Sequence, residues 1–354
     1  MTVAALDAVK VLAPATFAFA IGIAFTPFWA AFLYRNKLWK RSSVKLAMDG
    51  QAATISSKLH NDEERKTPRM GGVIVWGSVL ATSLFFFGIS LAAPGSLFEK
   101  LSFLSRSQTW LPLFTMVLGG LCGLIDDYLV CRDSGTYKGG GLSLTTRLGF
   151  VALLGLFGGW WFFAKLGVTA IMLPFAGELI LGWLIVPLFL ILMIGIYSGG
   201  IIDGVDGLSG GVFSIIYAAY GIIAFVQGQY DLAAFASVVV GGLLAFLWFN
   251  IPPARFFNSE TGTMALTTAL VVVAFLAKQV VVLPIIAFLL VVTSASSLIQ
   301  ILSKRYRGGK KVFLVAPLHN HFQALGWPAA KVTMRYWVLG TIFALVGIIV
   351  ALLG

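Results

Sequence analysis

The sequence predicts an all-α, polytopic membrane protein of about ten transmembrane helices, and three observations predict it. Its 354 residues are 59% hydrophobic and 11% charged, and the mean hydropathy is +0.94, which excludes an ordinary soluble domain. The apolar residues fall into runs of about 20, the length a helix needs to cross the hydrocarbon core. Most charged residues sit between these runs. Nothing is left over for a soluble domain, so residues 1–354 read as a single transmembrane domain.

The first run, 11–33, is too long for a signal-peptide core and has no small-residue cleavage site after it, so it reads as a span. The polar connection 34–69 separates it from the spans expected at 70–92 and 111–128, the second ending in Asp126-Asp127. Spans at 148–166 and 179–197 lead to a glycine-rich break at 198–207. Spans 208–227 and 233–250 lead to a polar turn, 251–261. Spans 262–277 and 280–302 precede a second long connection, 303–335, and the span 336–353 follows.

Orientation comes from the basic residues. Loops 34–69, 128–147, 198–207, 251–261 and 303–335 share one side and carry 20 of the 25 Lys and Arg. The excess marks that side as cytoplasmic and places both termini outside, as in a multi-pass protein of the cell inner membrane. The net charge of +11 suits this orientation and attraction to anionic headgroups. No folded soluble module could present a basic face, so nucleic acid is not an expected partner. Cys122 and Cys131 lie at the cytoplasmic end of a span, where a disulfide is disfavoured, and read as small buried side chains.

The chain has only 14 Asp and Glu, and Asp126, Asp127, Asp203, Asp206 and Glu260 all emerge at the cytoplasmic ends of apolar runs. Ionisable groups at the membrane are costly and normally line a functional cavity. Three separate acidic clusters therefore point to one shared pocket, of the kind that holds a hard cation such as Mg²⁺. Adjacent helical residues point about 100° apart, so Asp126 and Asp127 would divide two tasks between metal and substrate. A solvated pair at a helix end is the plainer alternative.

The stretch Ser198–Gly211 breaks any membrane helix and frees backbone N–H groups that, with the next helix start, can cradle phosphate. Irregular backbone at the membrane is tolerated where it lines a cavity. Asp203 and Asp206, three apart, would share a face, which a mere flexible hairpin does not explain. Phe249–Thr263 is a polar turn opening an apolar helix, where Glu260 is either a cap or, beside the other carboxylates, a metal ligand. Pro317–Phe322 puts His319 and His321, two of the three histidines, in one basic loop. Zinc, general acid/base work and phosphate contact are the open roles. Zinc takes three or four N/S ligands that nothing nearby supplies, and phosphate or nucleotide contact, with Arg307, Lys310 and Lys311 upstream, fits better.

Together, Thr67-Pro68-Arg69-Met70-Gly71-Gly72, Ile125-Asp126-Asp127-Tyr128, Asp203-Gly204-Val205-Asp206-Gly207-Leu208, Phe249-Asn250 through Glu260-Thr261-Gly262, and Pro317-Leu318-His319-Asn320-His321-Phe322 resemble, in family order, the polyprenyl-phosphate N-acetylhexosamine-1-phosphate transferases. The histidine motif is most similar to the phospho-N-acetylmuramoyl-pentapeptide transferase branch. The resemblance implies ten spans and an Mg²⁺-dependent exchange at the cytoplasmic face. In it the phosphate of undecaprenyl phosphate attacks the β-phosphate of UDP-MurNAc-pentapeptide to give lipid I and UMP. It implies catalytic roles for Asp126, Asp127, Asp203 and His319, and a metal held by Asp127, Asp203 and Glu260. Substrate contacts would come from Asp206, Gly204, Asn250, His321, Thr67 and Lys66. Membrane lipid is the other expected partner, with a homodimer as the oligomer to test. The chain departs from the family pattern at Val130 (usually Lys), Gly200 (Asn), Asn320 (His) and Glu260 (Asp). The rival readings are a weakened or different-sugar homologue, and a cation-coupled transporter, whose acids would sit at the midplane.

Overall fold

The computed structural model describes residues 3–40, 67–105, 108–135 and 140–354; Lys66 lies outside them. The described residues form thirteen α-helices. In chain order they are α1 (Val3–Arg35), α2 (Gly72–Ala92), α3 (Leu97–Leu101), α4 (Trp110–Cys131), α5 (Leu144–Trp160), α6 (Ile185–Ser198) and α7 (Leu208–Val226). Then come α8 (Tyr230–Asn250), α9 (Ser259–Leu276), α10 (Leu283–Ile286), α11 (Phe288–Tyr306), α12 (Leu318–Ala324) and α13 (Ala329–Leu353). Between α5 and α6 a short antiparallel hairpin pairs β1 (Ala170–Leu173) with β2 (Gly177–Ile180), Ala170 facing Ile180.

Among the described residues, nine helices are long and apolar enough to cross a membrane. The protein is an all-α polytopic membrane protein, and large apolar side chains such as Phe28, Leu153 and Trp248 stand exposed on its outside, where acyl chains would cover them. The expected span 280–302 is the one that differs. The chain makes the short α10, breaks at Ala287 and resumes as α11, long enough to span but laced with Thr293, Ser296, Gln300 and a terminal Lys304-Arg305. Its polar stripe holds the following loop. Gln300 accepts from the N–H groups of Val312 and Phe313 and donates to the Phe313 carbonyl. Ser303 donates to the Lys310 carbonyl, and Ser296 accepts from Leu318 N–H. The residues that make α11 poorly apolar are thus the ones that position the loop carrying His319 and His321.

The centre of the bundle is α9, with 89% of its residues buried inside the protein. It packs most extensively on α4, while α8 packs between α1 and α7. Small residues let membrane helices approach closely, and here they do. A Cβ at Gly119 would lie 2.7 Å from the Met264 carbonyl oxygen, and one at Gly123 only 2.2 Å from that of Glu260. Gly72 meets the backbone of Gly262 in the same way. Gly123→Val is therefore expected to push α9 off α4, at an overpacking cost of about 3 kcal/mol, seen as a lowered midpoint of thermal unfolding in detergent. Gly149→Ala, with nothing within 4 Å of the new Cβ, should leave that midpoint unchanged or slightly raised.

Candidate active site

The first turn of α9 gathers the acidic residues. Its leading N–H groups have no acceptor within the helix, and two carboxylates from elsewhere in the chain supply one. Ser259, held at φ +58°, donates its N–H to Asp203 Oδ2 at 2.6 Å. Thr261 donates both N–H and Oγ1–H to Asp127 Oδ2, at 2.9 and 2.6 Å. Both carboxylates gain from the positive end of the helix dipole. Glu260, between them, instead pairs its side chain with Arg147 at the start of α5. The same guanidinium lies 3.9 Å from Asp126 Oδ2, and Asp126 Oδ1 accepts from Leu142 N–H at 2.7 Å. Asp127 Oδ1 accepts from Arg69 Nε at 2.9 Å. The adjacent aspartates face different protein partners, Asp126 toward Arg147 and Asp127 toward Arg69 and α9.

The glycine-rich segment forms a turn, Gly199–Ile202, and a loop that ends at Gly207. Gly207 sits at φ +73°, a left-handed conformation that glycine adopts without steric cost. Its N–H donates to Asn250 Oδ1 at 2.9 Å, while Asn250 Nδ2 donates to the Phe256 carbonyl. Asn250 thereby ties the end of α8 to both loops. Asp206 Oδ2 accepts from Ala254 N–H at 3.0 Å, and the Asp206 carbonyl accepts from Thr333 of α13. Asp203 Oδ1 accepts from Ser209 Oγ at 2.6 Å. Burial pushes the Asp203 carboxyl above its ordinary pKa, and the hydrogen bonds from Ser209 and Ser259 pull it back. His319 is fully buried beneath Gly204, where a Cβ would come within 2.6 Å of its Nε2. His321 is half-buried, its Nδ1 accepting from Leu314 N–H. Thr67 opens a segment docked on the α8–α9 connection through Phe257 N–H to the Pro68 carbonyl and Gly71 N–H to the Phe257 carbonyl.

These elements enclose a cavity of about 400 Å³ whose wall includes Asp203, Gly204, Asp206, Asn250 and Glu260 among the residues expected from sequence, with Lys40, Arg69, Gly200 and Gln323 beside them. Asp126, Asp127 and His319 are buried and are not part of its wall. Sequence reading missed Arg69, Arg147, Ser209 and Thr261 as structural partners of the carboxylates. Arg69, Ser209 and Thr261 stood inside the segments already singled out, whereas Arg147 read only as one more cytoplasmic charge. Val130, where the family has Lys, is a buried side chain against Gly140 and Gly141. Asp126, Asp127 and Glu260 pair instead with Arg147 and Arg69, from other segments.

Magnesium takes near-octahedral oxygen donors at about 2.0–2.1 Å, and carboxylates are chemically suited to it. The arrangement is not. Asp126, Asp127, Asp203 and Glu260 each already accept from an N–H or O–H donor. Among the described residues no three His, Cys, Asp or Glu side chains converge to hold an ion. As arranged, Asp127, Asp203 and Glu260 do not form a metal shell.

Comparison with known proteins fits this geometry. Residues 109–278 match glycosyl transferase family 4. The phospho-N-acetylmuramoyl-pentapeptide-transferase of Listeria innocua is 33% identical over 314 residues, which cover 87% of this chain and 91% of that protein. This chain belongs to the phospho-N-acetylmuramoyl-pentapeptide-transferase family. The Anoxybacillus flavithermus transferase is 32% identical, with 96% of this chain and 97% of its own length covered. That of Chloroflexus aurantiacus is 31% identical, with 98% and 91% covered. The glycosyl transferase family 4 match holds Asp126, Asp127, Arg147, Asp203, Asn250 and Glu260. Arg69 and the histidines lie outside that stretch and inside the longer similarity to this transferase family.

Proposed function

We propose that this protein transfers phospho-MurNAc-pentapeptide from UDP-MurNAc-pentapeptide to undecaprenyl phosphate at the cytoplasmic face of the inner membrane, giving lipid I and UMP in peptidoglycan synthesis. The observation that carries this reading is the gathering, around the first turn of α9, of carboxylates and arginines from four other segments beside a glycine-walled cavity. Family membership supplies the chemistry it fits. In the proposed step an oxygen of the lipid phosphate attacks the β-phosphorus of the donor. The bond from that phosphorus to the oxygen shared with the α-phosphate breaks, and its electrons leave with UMP. Phosphoryl transfer asks the protein mainly for in-line positioning and charge compensation.

In this reading Gly204 lets the donor phosphates approach the backbone, with His319 behind it fixing the loop. Asp206 and Asn250 hold the two loops that would receive the uridine end. Asp203, in the wall, faces the reacting phosphates. Asp126 and Asp127 act through the arginines they hold, with Glu260 sharing Arg147. His321 and Thr67 do not line the cavity and are assigned to the sugar and the lipid phosphate.

The test is UMP release by purified protein in detergent with polyprenyl phosphate, comparing UDP-MurNAc-pentapeptide with UDP-GlcNAc, each with Mg²⁺ and with EDTA. The muramoyl donor should turn over faster by about tenfold or more, a transition-state difference of about 1.4 kcal/mol. An equal or reversed preference would refute the assigned sugar, and the EDTA arms report on the metal expectation by themselves.

A further inference from the structure

The Arg69–Asp127 pair is lopsided. The Asp127 side chain is fully buried, whereas that of Arg69 keeps 25% of its surface and lines the cavity. The second carboxylate oxygen is taken by Thr261. Asp127 therefore lies behind and Arg69 in front, and the pair presents positive charge to the cavity. The backbone around Arg69 is fixed from both sides. Its own N–H donates to the Leu38 carbonyl, and the flanking Pro68 and Gly71 are hydrogen-bonded to Phe257. A guanidinium stays charged at any working pH, carries five N–H donors in a planar fork, and suits phosphate oxygens in that geometry. Gly200 and Gly204 line the same cavity and, lacking side chains, leave room for a bulky anion. Of the three carboxylates in the wall, Asp203 and Asp206 are engaged by donors from their own surroundings and Glu260 pairs with Arg147.

We propose that Arg69, steadied by Asp127, is a phosphate-binding residue of this cavity, and that it holds substrate phosphate without a bridging divalent cation. The proposal deepens, and rests on, the transferase reading above. The shared chemistry is a phosphate oxyanion, which either the nucleotide diphosphate or the lipid monophosphate could bring.

The experiment is equilibrium binding to the full-length protein in detergent with EDTA present, in two arms: UDP against uridine, and a polyprenyl phosphate against the matching polyprenol. Wild-type protein should bind at least one phosphate ligand in EDTA, with affinity altered less than about threefold by added Mg²⁺. Arg69→Gln should weaken that ligand by about tenfold or more, leave its phosphate-free counterpart unchanged, and be partly repaired in Arg69→Lys. The arm that responds identifies the source of the phosphate. The proposal is overturned if Arg69→Gln leaves both phosphate ligands unaffected, if it weakens the phosphate-free counterparts equally, or if binding occurs only with Mg²⁺. Wild-type protein that binds neither phosphate ligand with or without Mg²⁺ would remove the transferase reading itself. Unchanged phosphate binding by Arg69→Gln would remove the role of Arg69 alone.

Discussion

Asp127→Ala should abolish turnover and lower stability by about 3–5 kcal/mol, the range for breaking a buried ion pair by removing one partner. Asp127 is fully buried and joins three segments: Arg69 before α2, its own helix α4, and the first turn of α9. Its removal takes the buried carboxylate from the Arg69 guanidinium and leaves the Thr261 N–H and hydroxyl without this acceptor, each a cost of about 1–3 kcal/mol when buried. Asp127→Asn keeps the shape and one carbonyl oxygen, so it should unfold at an intermediate temperature while remaining inactive, because the charge that holds Arg69 is gone. Thermal unfolding in detergent and UMP release measure the two effects separately. An Asp127→Ala protein as stable as wild type would mean that the buried pair does not tie these segments together.

Arg147→Ala is the second large effect expected. Arg147 is the cation between Glu260 and Asp126, two carboxylates from different helices, and Asp126 is 3% exposed. Without it two carboxylates lose the cation between them, and a loss of about 3 kcal/mol follows. Removing one charge should relieve the other, so Arg147→Ala/Glu260→Gln should be more stable than the sum of its single changes allows, by about 1–3 kcal/mol of coupling. Simple additivity would show that Glu260 acts only as a helix-end charge, worth about 0.3–1 kcal/mol. The structure favours coupling, since the N–H caps of α9 come from Asp203 and Asp127 and leave the Glu260 side chain to Arg147.

The membrane fold was legible because apolar runs of spanning length carry their own signal, and the acids were legible because so few occur. Asp126, Asp127, Asp203 and Glu260 meet around one helix start, as charges kept beside lipid must. Partners were harder to read. Arg69 and Arg147 are distant in sequence from the carboxylates they hold, and lone arginines on the cytoplasmic side look like orientation signals. The polar stripe of α11 was hidden for a related reason. Its value lies in hydrogen bonds to a loop about a dozen residues on, which hydropathy scores only as a loss. The hairpin Ala170–Ile180 lies at the edge of an apolar run, where periodicity alone does not separate a short strand from a helix start.

The most direct measurement follows a radiolabelled β-phosphate of UDP-MurNAc-pentapeptide through turnover with polyprenyl phosphate. Transfer of a phosphosugar moves the label into the lipid product and releases UMP in equal amount, which is the expected result. Transfer of the sugar alone would leave the label on released UDP. Either that outcome, or uptake of the donor into proteoliposomes with no lipid product, would contradict the phosphosugar chemistry assigned to this site.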